Sequence, residues 1–366
     1  MITGSKSKKV KFLYQGNFSC VYHPNPLCQR KIDQIPHKTT DMIGKIIRPI
    51  ESVIEWANAQ KLHTIDSKQN YFIYPQELCE IIPKQTSIKC NLVKKDQRMN
   101  MLKIPYANHT LIQDCMRQKK KISLLEFIPK LYHLFKGLEL LHKNDLIHQD
   151  IKINNIVSDK TCLRLIDFGI SLHIKDVFDL EKNAVYINND YPIHPPEYRY
   201  FSRYYYLQKN IETPILFIEN EWYLQNYTVP ENKLRNLDLY KIFYPFDQYT
   251  VKITAMFDQL KDYTKPQLQK VFSNYATKID IYGLGVALLH IYPYMEIDKT
   301  TLSKQYFTLI QNMINPNIFE RYDTGQCLKT LQALIIFFPK KVAKQWDQYG
   351  NSQRVSYIIH NRHSNK

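Results

Sequence analysis

No stretch of this sequence stays apolar long enough to cross a bilayer. The longest such runs, near Gly283–Tyr292 and Leu331–Phe338, fall short of the roughly 20 residues that a spanning helix needs. Met1–Val10 is basic and polar without an apolar centre, which is not the pattern of a secretory leader. Cysteine is equally unpromising. Its seven residues (Cys20, Cys28, Cys79, Cys90, Cys115, Cys162, Cys327) are odd in number, scattered, and never spaced Cys-x-x-Cys. That distribution argues against a disulfide framework and a standard zinc site, and predicts a reducing, cytoplasmic setting. Internal repeats and low-complexity segments are missing as well.

Acidic residues are in deficit: 34 Asp and Glu face 50 Lys and Arg, a formal net charge of +16. Such a surplus suits anionic partners in general. No arginine-rich stripe gathers it, and Lys, Asn, Ile and 27 Tyr are spread throughout. Specific nucleic-acid binding is therefore not expected, nor is membrane association. At 366 residues and 44% hydrophobic, the chain can bury a large core as one domain or two lobes.

What is present concentrates between Leu146 and Gly169. Two short apolar runs, Asn155–Val157 and Leu163–Ile166, read as buried strands with polar residues at their ends. Those polar residues suit phosphoryl transfer. Asp150 can take a proton from an attacking hydroxyl, and Lys152 can neutralise charge on a moving phosphoryl group. Asn155 and Asp167 offer the oxygen ligands that Mg²⁺ prefers.

His148-Gln149-Asp150-Ile151-Lys152-Ile153-Asn154-Asn155 resembles the catalytic loop of protein kinases, and Asp167-Phe168-Gly169 resembles their metal-binding triplet. The resemblance implies an α+β, two-lobed fold: a small β-rich N-lobe over 1–104 and a larger, mainly helical C-lobe over 105–339. A basic extension, 340–366, follows. It also implies ATP and Mg²⁺ as cofactors and protein hydroxyls as acceptors. Lys152 is usual in the serine/threonine enzymes and unusual in the tyrosine enzymes. Gln149 stands where many members carry an arginine that pairs with an activation-loop phosphate, so that particular switch is not expected here.

The other expected parts follow in order. Lys11–Tyr22 alternates about a small-residue turn, as the glycine-rich hairpin does. Gly16, Phe18, Val21 and Tyr22 fit, while Tyr14 and Ser19 occupy the usual first and third glycine positions. Met42–Ile47 reads as a strand whose Lys45 matches the phosphate-binding lysine; Lys38 lies in a polar stretch and is the weaker choice. Ile50–Ile65 has helical spacing, with Ile50, Ile54, Ala57, Leu62 and Ile65 as its apolar positions. Glu51 and Glu55 share a face, and Glu55 is preferred as the lysine's partner. Tyr71–Tyr74 and Ser87–Val93 read as strands. Ile104 is expected behind the adenine, with Tyr106–Ala107 offering backbone groups to it.

Beyond the catalytic loop, Ile170–Pro195 would be the activation segment, with Ser171, Tyr186 and Tyr191 as modification candidates. Pro195-Pro196-Glu197 resembles its closing triplet, whose glutamate is expected to pair with Arg321. Asp280 would cap catalytic-loop amides. An aromatic-rich insert, 198–279, has helix-like patches at Tyr200–Gln208, Trp222–Asn226 and Ala255–Tyr263. It reads as an elaborated lobe or a docking surface. This insert and the altered glycine loop resemble the divergent kinases of large nucleocytoplasmic DNA viruses. The alternative to an active kinase is a pseudokinase scaffold.

Overall fold

A computed structural model describes residues 10–16, 19–37, 39, 41–81, 90–92, 98–107, 109–159, 161–179, 182, 193–198 and 236–338. By contacts the chain divides into two compact units. One comprises Met1–Asn108 with Arg164–Ser171, the other His109–Leu163 with Leu172–Lys366. The stretch around Asp167 thus belongs to the first unit although it lies far along the chain.

The first unit is built on a six-stranded antiparallel sheet. Its strands are β1 (Lys11–Gln15), β2 (Ser19–His23), β3 (Arg30–Gln34), β4 (Met42–Ile47), β5 (Glu77–Ile81) and β6 (Met99–Pro105), in the spatial order β1-β2-β4-β6-β5-β3. Side chains alternate across a strand, so β4 sends Ile46 into a core with Cys20, Tyr22, Cys79, Ile81, Met99 and Met101. Gly44 lies on that side, where a Cβ would stand 2.6 Å from Met101 Sδ and 2.7 Å from Pro26 Cδ. Only glycine fits there.

This core contains two disulfides, Cys20–Cys90 and Cys28–Cys79, which overturn the expectation of unpaired thiols. The partners are 70 and 51 residues apart in sequence, and each link joins a strand cysteine, Cys20 on β2 or Cys79 on β5, to one outside the strands, Cys90 or Cys28. Among the described residues, Cys115, Cys162 and Cys327 are buried and take part in no disulfide.

Helix α1 (Pro49–Ile65) starts with proline at its first position, where a missing N–H costs nothing. Its buried face corrects the sequence reading. Ile50, Ile54 and Ala57 are exposed, and Ser52, Glu55, Trp56, Asn58, Ala59 and Leu62 are buried. Polar contacts set the helix's rotation: Asn100 Nδ2 donates to Ser52 Oγ at 2.7 Å, and Trp56 Nε1 donates to Asp33 Oδ2 at 2.8 Å. Tyr71–Tyr74 is not a strand beyond one bridge between Phe72 and Leu165. The Asp66 carboxylate accepts from the amides of Asn70, Tyr71 and Phe72 and ties that stretch into a loop. Of Ser87–Val93, only Cys90–Leu92 is described, and it begins a turn rather than a strand.

The second unit opens with β7 (His109–Thr110), α2 (Leu111–Arg117) and α3 (Leu124–Lys143). The expected apolar face of α3, Phe127, Leu131, Leu134, Leu138 and Leu141, is buried. Next come β8 (Leu146–Ile147), β9 (Ile156–Ser158) and β10 (Leu163–Leu165), the last running on into the first unit, then β11 (Leu172–His173), which pairs with β8. Asn155 ends a 3₁₀ turn, Ile153–Asn155, so the strand starts one residue later than its apolar pattern suggests. The described part of the insert is helical: α4 (Asn236–Phe243), α5 (Phe246–Leu260) and α6 (Lys265–Asn274). Of its expected patches, Ala255–Tyr263 falls mostly in α5, and the other two lie outside the described residues.

Helix α7 (Thr277–Ile291) is buried on every side from Lys278 onward, which marks it as the unit's central helix. Helices α8 (Thr301–Met313) and α9 (Thr324–Ala333) complete the unit. Among the described residues no helix is long and apolar enough to cross a membrane.

Candidate active site

In the first unit, β4 points Lys45 to the face opposite the disulfide core. Val21 on β2 and Leu102 on β6 are its cross-strand partners there. A lysine buried in such a place must be compensated. Its Nζ donates to both oxygens of Glu55, at 2.9 and 2.8 Å, and to Asp167 Oδ1 at 2.7 Å. Burial alone would depress the Lys45 pKa, but Asp167 and Glu55 outweigh it and hold the ammonium above its ordinary range. Burial pushes the Glu55 carboxyl up, against the pull of Lys45. Glu51 instead pairs with Arg48, one turn earlier, and Lys38 lies outside the described residues.

Asp167 has a φ of 68°, the left-handed region that non-glycine residues seldom adopt. The next residues are fixed from α1: Asn58 Nδ2 donates to the carbonyls of Phe168, at 2.8 Å, and Ser171, at 3.0 Å. The Phe168 ring packs edge-on against Phe72 with centroids 5.4 Å apart. Ser171 is buried, so this modification candidate is shielded, and Tyr186 and Tyr191 lie outside the described residues.

The β1–β2 hairpin is closed by the Gly16 amide, which donates to Ser19 O at 2.8 Å. Tyr14 is exposed, and Phe18 lies outside the described residues. Ile104 is paired with Ile43 across β6 and β4. Tyr106 departs from expectation. Its amide already donates to Asp41 O at 3.0 Å, and its ring stacks on His23 with centroids 4.1 Å apart.

In the second unit, Asp150 is the hub. Lys152 Nζ donates to its Oδ2 at 2.9 Å and its Oδ1 at 3.1 Å. Asn155 Nδ2 donates to Asp150 Oδ2 and to its carbonyl, both at 2.9 Å. The 3₁₀ turn causes this meeting: the Asn155 amide closes onto Lys152 O at 2.8 Å and folds the side chain back on Asp150. With its Nδ2 committed, Asn155 keeps its amide oxygen as a ligand atom.

The loop is anchored from α7. Asp280 accepts from the His148 amide at 2.9 Å and the Gln149 amide at 2.8 Å, and His142 Nε2 lies 3.0 Å from the same carboxylate. Gly283 permits the approach, since a Cβ there would sit 2.7 Å from the Ile151 carbonyl oxygen. Glu197 and Arg321 form the expected pair, Nη2 to Oε2 at 2.9 Å.

Sequence reasoning missed Asn58, His142 and two residues that touch Gln149: His194, which meets its carbonyl oxygen, and Tyr198, whose hydroxyl donates to its Oε1. Asn58 lies one helical turn beyond Glu55, a spacing that could have flagged it. The other three carry no local signal.

Each set has a definite chemical capacity. Asp150 presents a carboxylate braced by an ammonium and an amide, suited to orienting a hydroxyl and accepting its proton. Lys45 is a fixed cation held by Glu55 and Asp167, of the kind that attracts anionic oxygens. Asp167 in the first unit, with a side chain 38% exposed, and the Asn155 amide oxygen in the second are each hard oxygen donors of the kind Mg²⁺ takes.

Residues 82–192 match the protein kinase domain family. The chain is 42% identical over 60 residues to mitogen-activated protein kinase kinase kinase 8 of Rattus norvegicus, covering 15% of this chain and 13% of that protein. It is 29% identical over 91 residues to a probable serine/threonine-protein kinase of Zea mays, covering 25% and 14%. A third, from Clostridium acetobutylicum and described in the same words, is 30% identical over 80 residues, covering 22% and 12%. The chain thus spans only a small part of the length of these relatives. The first unit's sheet and the second unit's many helices are compatible with a kinase fold. The matched sequence and the side-chain sets together support a eukaryotic-type protein kinase.

Proposed function

We propose that this protein is a serine/threonine kinase that transfers the γ-phosphoryl group of Mg-ATP to protein hydroxyls. The observation that carries the reading is the convergence of Lys152 and Asn155 on one carboxylate, Asp150. Asp150 orients the acceptor hydroxyl and takes its proton, and Lys152 steadies the transferred group. Lys45, held by Glu55, binds phosphate oxygens, while Gly16, Val21, Ile104 and Tyr106 are assigned to nucleotide contact. Asn155 and Asp167 would hold magnesium, which when bound shields the charge of the phosphates. The residues contribute position and charge.

The finer parts of the proposal rest on the sequence resemblance: a relation to kinases of large nucleocytoplasmic DNA viruses, action in host cytoplasm or virion, and a docking role for residues 198–279. In a reducing cytoplasm the two cystines would stand as thiols. The test is transfer of labelled γ-phosphate to mixed basic and acidic proteins by the wild type, Asp150→Ala and Asp167→Ala. Label on serine or threonine that disappears in both variants is the expected result. Equal background in all three, with folded protein, would refute it.

A second reading, a scaffold without transfer activity, is favoured by Tyr14 and Ser19 in the hairpin and by the engaged Tyr106 amide. Thermal unfolding with and without Mg-ATP separates the two, because a ligand bound to the native state raises stability by RT ln(1 + [L]/Kd).

A further inference from the structure

Gln149 immediately precedes Asp150 and has a φ of 66°. A non-glycine residue seldom adopts that left-handed region, so neighbouring structure must impose the conformation. The neighbours are specific. The Gln149 amide donates to Asp280 Oδ1 at 2.8 Å. Its carbonyl accepts from His194 Nε2 at 3.0 Å, and its side-chain Oε1 accepts from the Tyr198 hydroxyl at 3.0 Å. The last two come from 45 and 49 residues downstream.

That downstream segment is itself fixed. His194 and Tyr198 are 3% and 1% exposed, and their rings lie 4.6 Å apart. Tyr198 also meets Phe178 edge-on at 5.7 Å. Between them, Glu197 is tied to Arg321 by two hydrogen bonds. The Tyr198 amide closes a turn onto Pro195 O at 3.1 Å. The segment is therefore a braced clamp whose two polar tips close on Gln149, while α7 holds Gln149 through its amide.

We propose that Tyr198 and His194 are positioning residues for phosphoryl transfer. By fixing the Gln149 side chain and carbonyl, they hold its left-handed backbone and so aim the Asp150 carboxylate one residue on. A hydroxyl and an imidazole do this with hydrogen bonds that need no charge. The inference rests on the kinase reading above.

Tyr198→Phe removes one hydroxyl and leaves the ring contacts in place. Misdirection of Asp150 lowers the rate of transfer without touching nucleotide contacts, so kcat should fall about 10- to 100-fold with KM for ATP unchanged. Hydrogen exchange at the Gln149 and Asp150 amides should quicken, while the melting temperature shifts by only a few degrees. Gln149→Gly removes both the acceptor and the conformational cost, so adding Tyr198→Phe to that variant should change kcat little further. Wild-type transfer that Tyr198→Phe leaves unchanged would overturn the inference alone. So would a loss of equal size in the Gln149→Gly background, because Tyr198 would then act on something else. Absence of transfer in the wild type would overturn the kinase reading, and the inference with it.

Discussion

Arg321 and Glu197, separated by 124 residues, form a two-pronged ion pair in which both side chains are fully shielded from solvent. Arg321 Nε also donates to Asn315 O at 2.9 Å, and the guanidinium lies 4.9 Å from the centre of the Tyr282 ring. A pair so completely desolvated is not strongly stabilising compared with apolar residues of equal volume, but it is costly to break on one side. Arg321→Met should therefore lower unfolding free energy by about 3–5 kcal/mol. Urea titration of Arg321→Met, Glu197→Leu and the double variant measures this. The double variant should recover part of the loss, and Arg321→Lys should not match wild type, because a lysine lacks the fork.

Removal of the Lys45 ammonium leaves Glu55 buried without a cation. Lys45→Met should destabilise the protein by about 3 kcal/mol at neutral pH. The sign of its pH dependence follows from Glu55. Without Lys45 the folded-state pKa of this buried carboxyl rises further above its unfolded value. The deficit relative to wild type should then grow as pH rises through the range between the Glu55 folded-state pKa of the wild type, itself raised by burial, and the higher one of the variant. Chemical denaturation of both proteins at pH 5 and pH 8 checks this. A deficit that shrinks with rising pH would contradict the assignment.

His290 lies within the central helix α7, and burial lowers its pKa to about 4. The unfolded chain, with a histidine pKa near 6.5, binds more protons between those values. Stability is therefore full above about pH 6.5 and falls as pH drops towards 4, by about 3 kcal/mol at most. Denaturation of wild type and His290→Leu at pH 7, 5.5 and 4.5 should show wild type losing stability relative to the variant as the pH falls. Parallel curves would place the acid sensitivity elsewhere.

The disulfide Cys20–Cys90 closes a loop of 70 residues. Loop-closure entropy assigns such a link about 4 kcal/mol, before any change in the folded state. Dithiothreitol should lower the midpoint of thermal unfolding, and Cys20→Ser/Cys90→Ser should reproduce about half of that loss without reductant, because Cys28–Cys79 closes a loop of comparable length. Mass spectrometry after alkylation under non-reducing conditions should find Cys115, Cys162 and Cys327 as the thiols. Labelling of all seven cysteines would show that the links had not formed.

Much of this was legible in the chain because it is local. The polar set of the catalytic loop lies within a few residues, and α3 announces itself by 3.6-residue periodicity on one buried face. Arg321 was identified only through the family resemblance, since nothing near it names Glu197. The face of α1 was misread because the apolar positions Ile50 and Ile54 point outward, while buried polar contacts through Ser52, Glu55, Trp56 and Asn58 set the helix's rotation. The disulfides were invisible for a related reason. Their partners meet through the tertiary fold, a strand cysteine with one in a connection, which spacing along the chain does not encode. Tyr198 and His194 belong with these, as ordinary residues whose role comes from the Gln149 atoms they reach, the side-chain Oε1 for Tyr198 and the carbonyl oxygen for His194.

The membership of Arg164–Ser171 in the first unit has a consequence for biosynthesis. While the chain emerges from the ribosome, the sheet and α1 are complete by Asn108, yet several of their bonds still lack a partner. Ile73 awaits the carbonyl of Leu165, Asn58 awaits those of Phe168 and Ser171, and Lys45 awaits Asp167. Those residues arrive only after α2, α3 and the Asp150 loop have been translated. A recombinant fragment cut at residue 108 would keep Lys45 and Glu55 but lose the strand end that completes their surroundings. The nascent first unit must wait, part-finished, for a segment encoded well downstream.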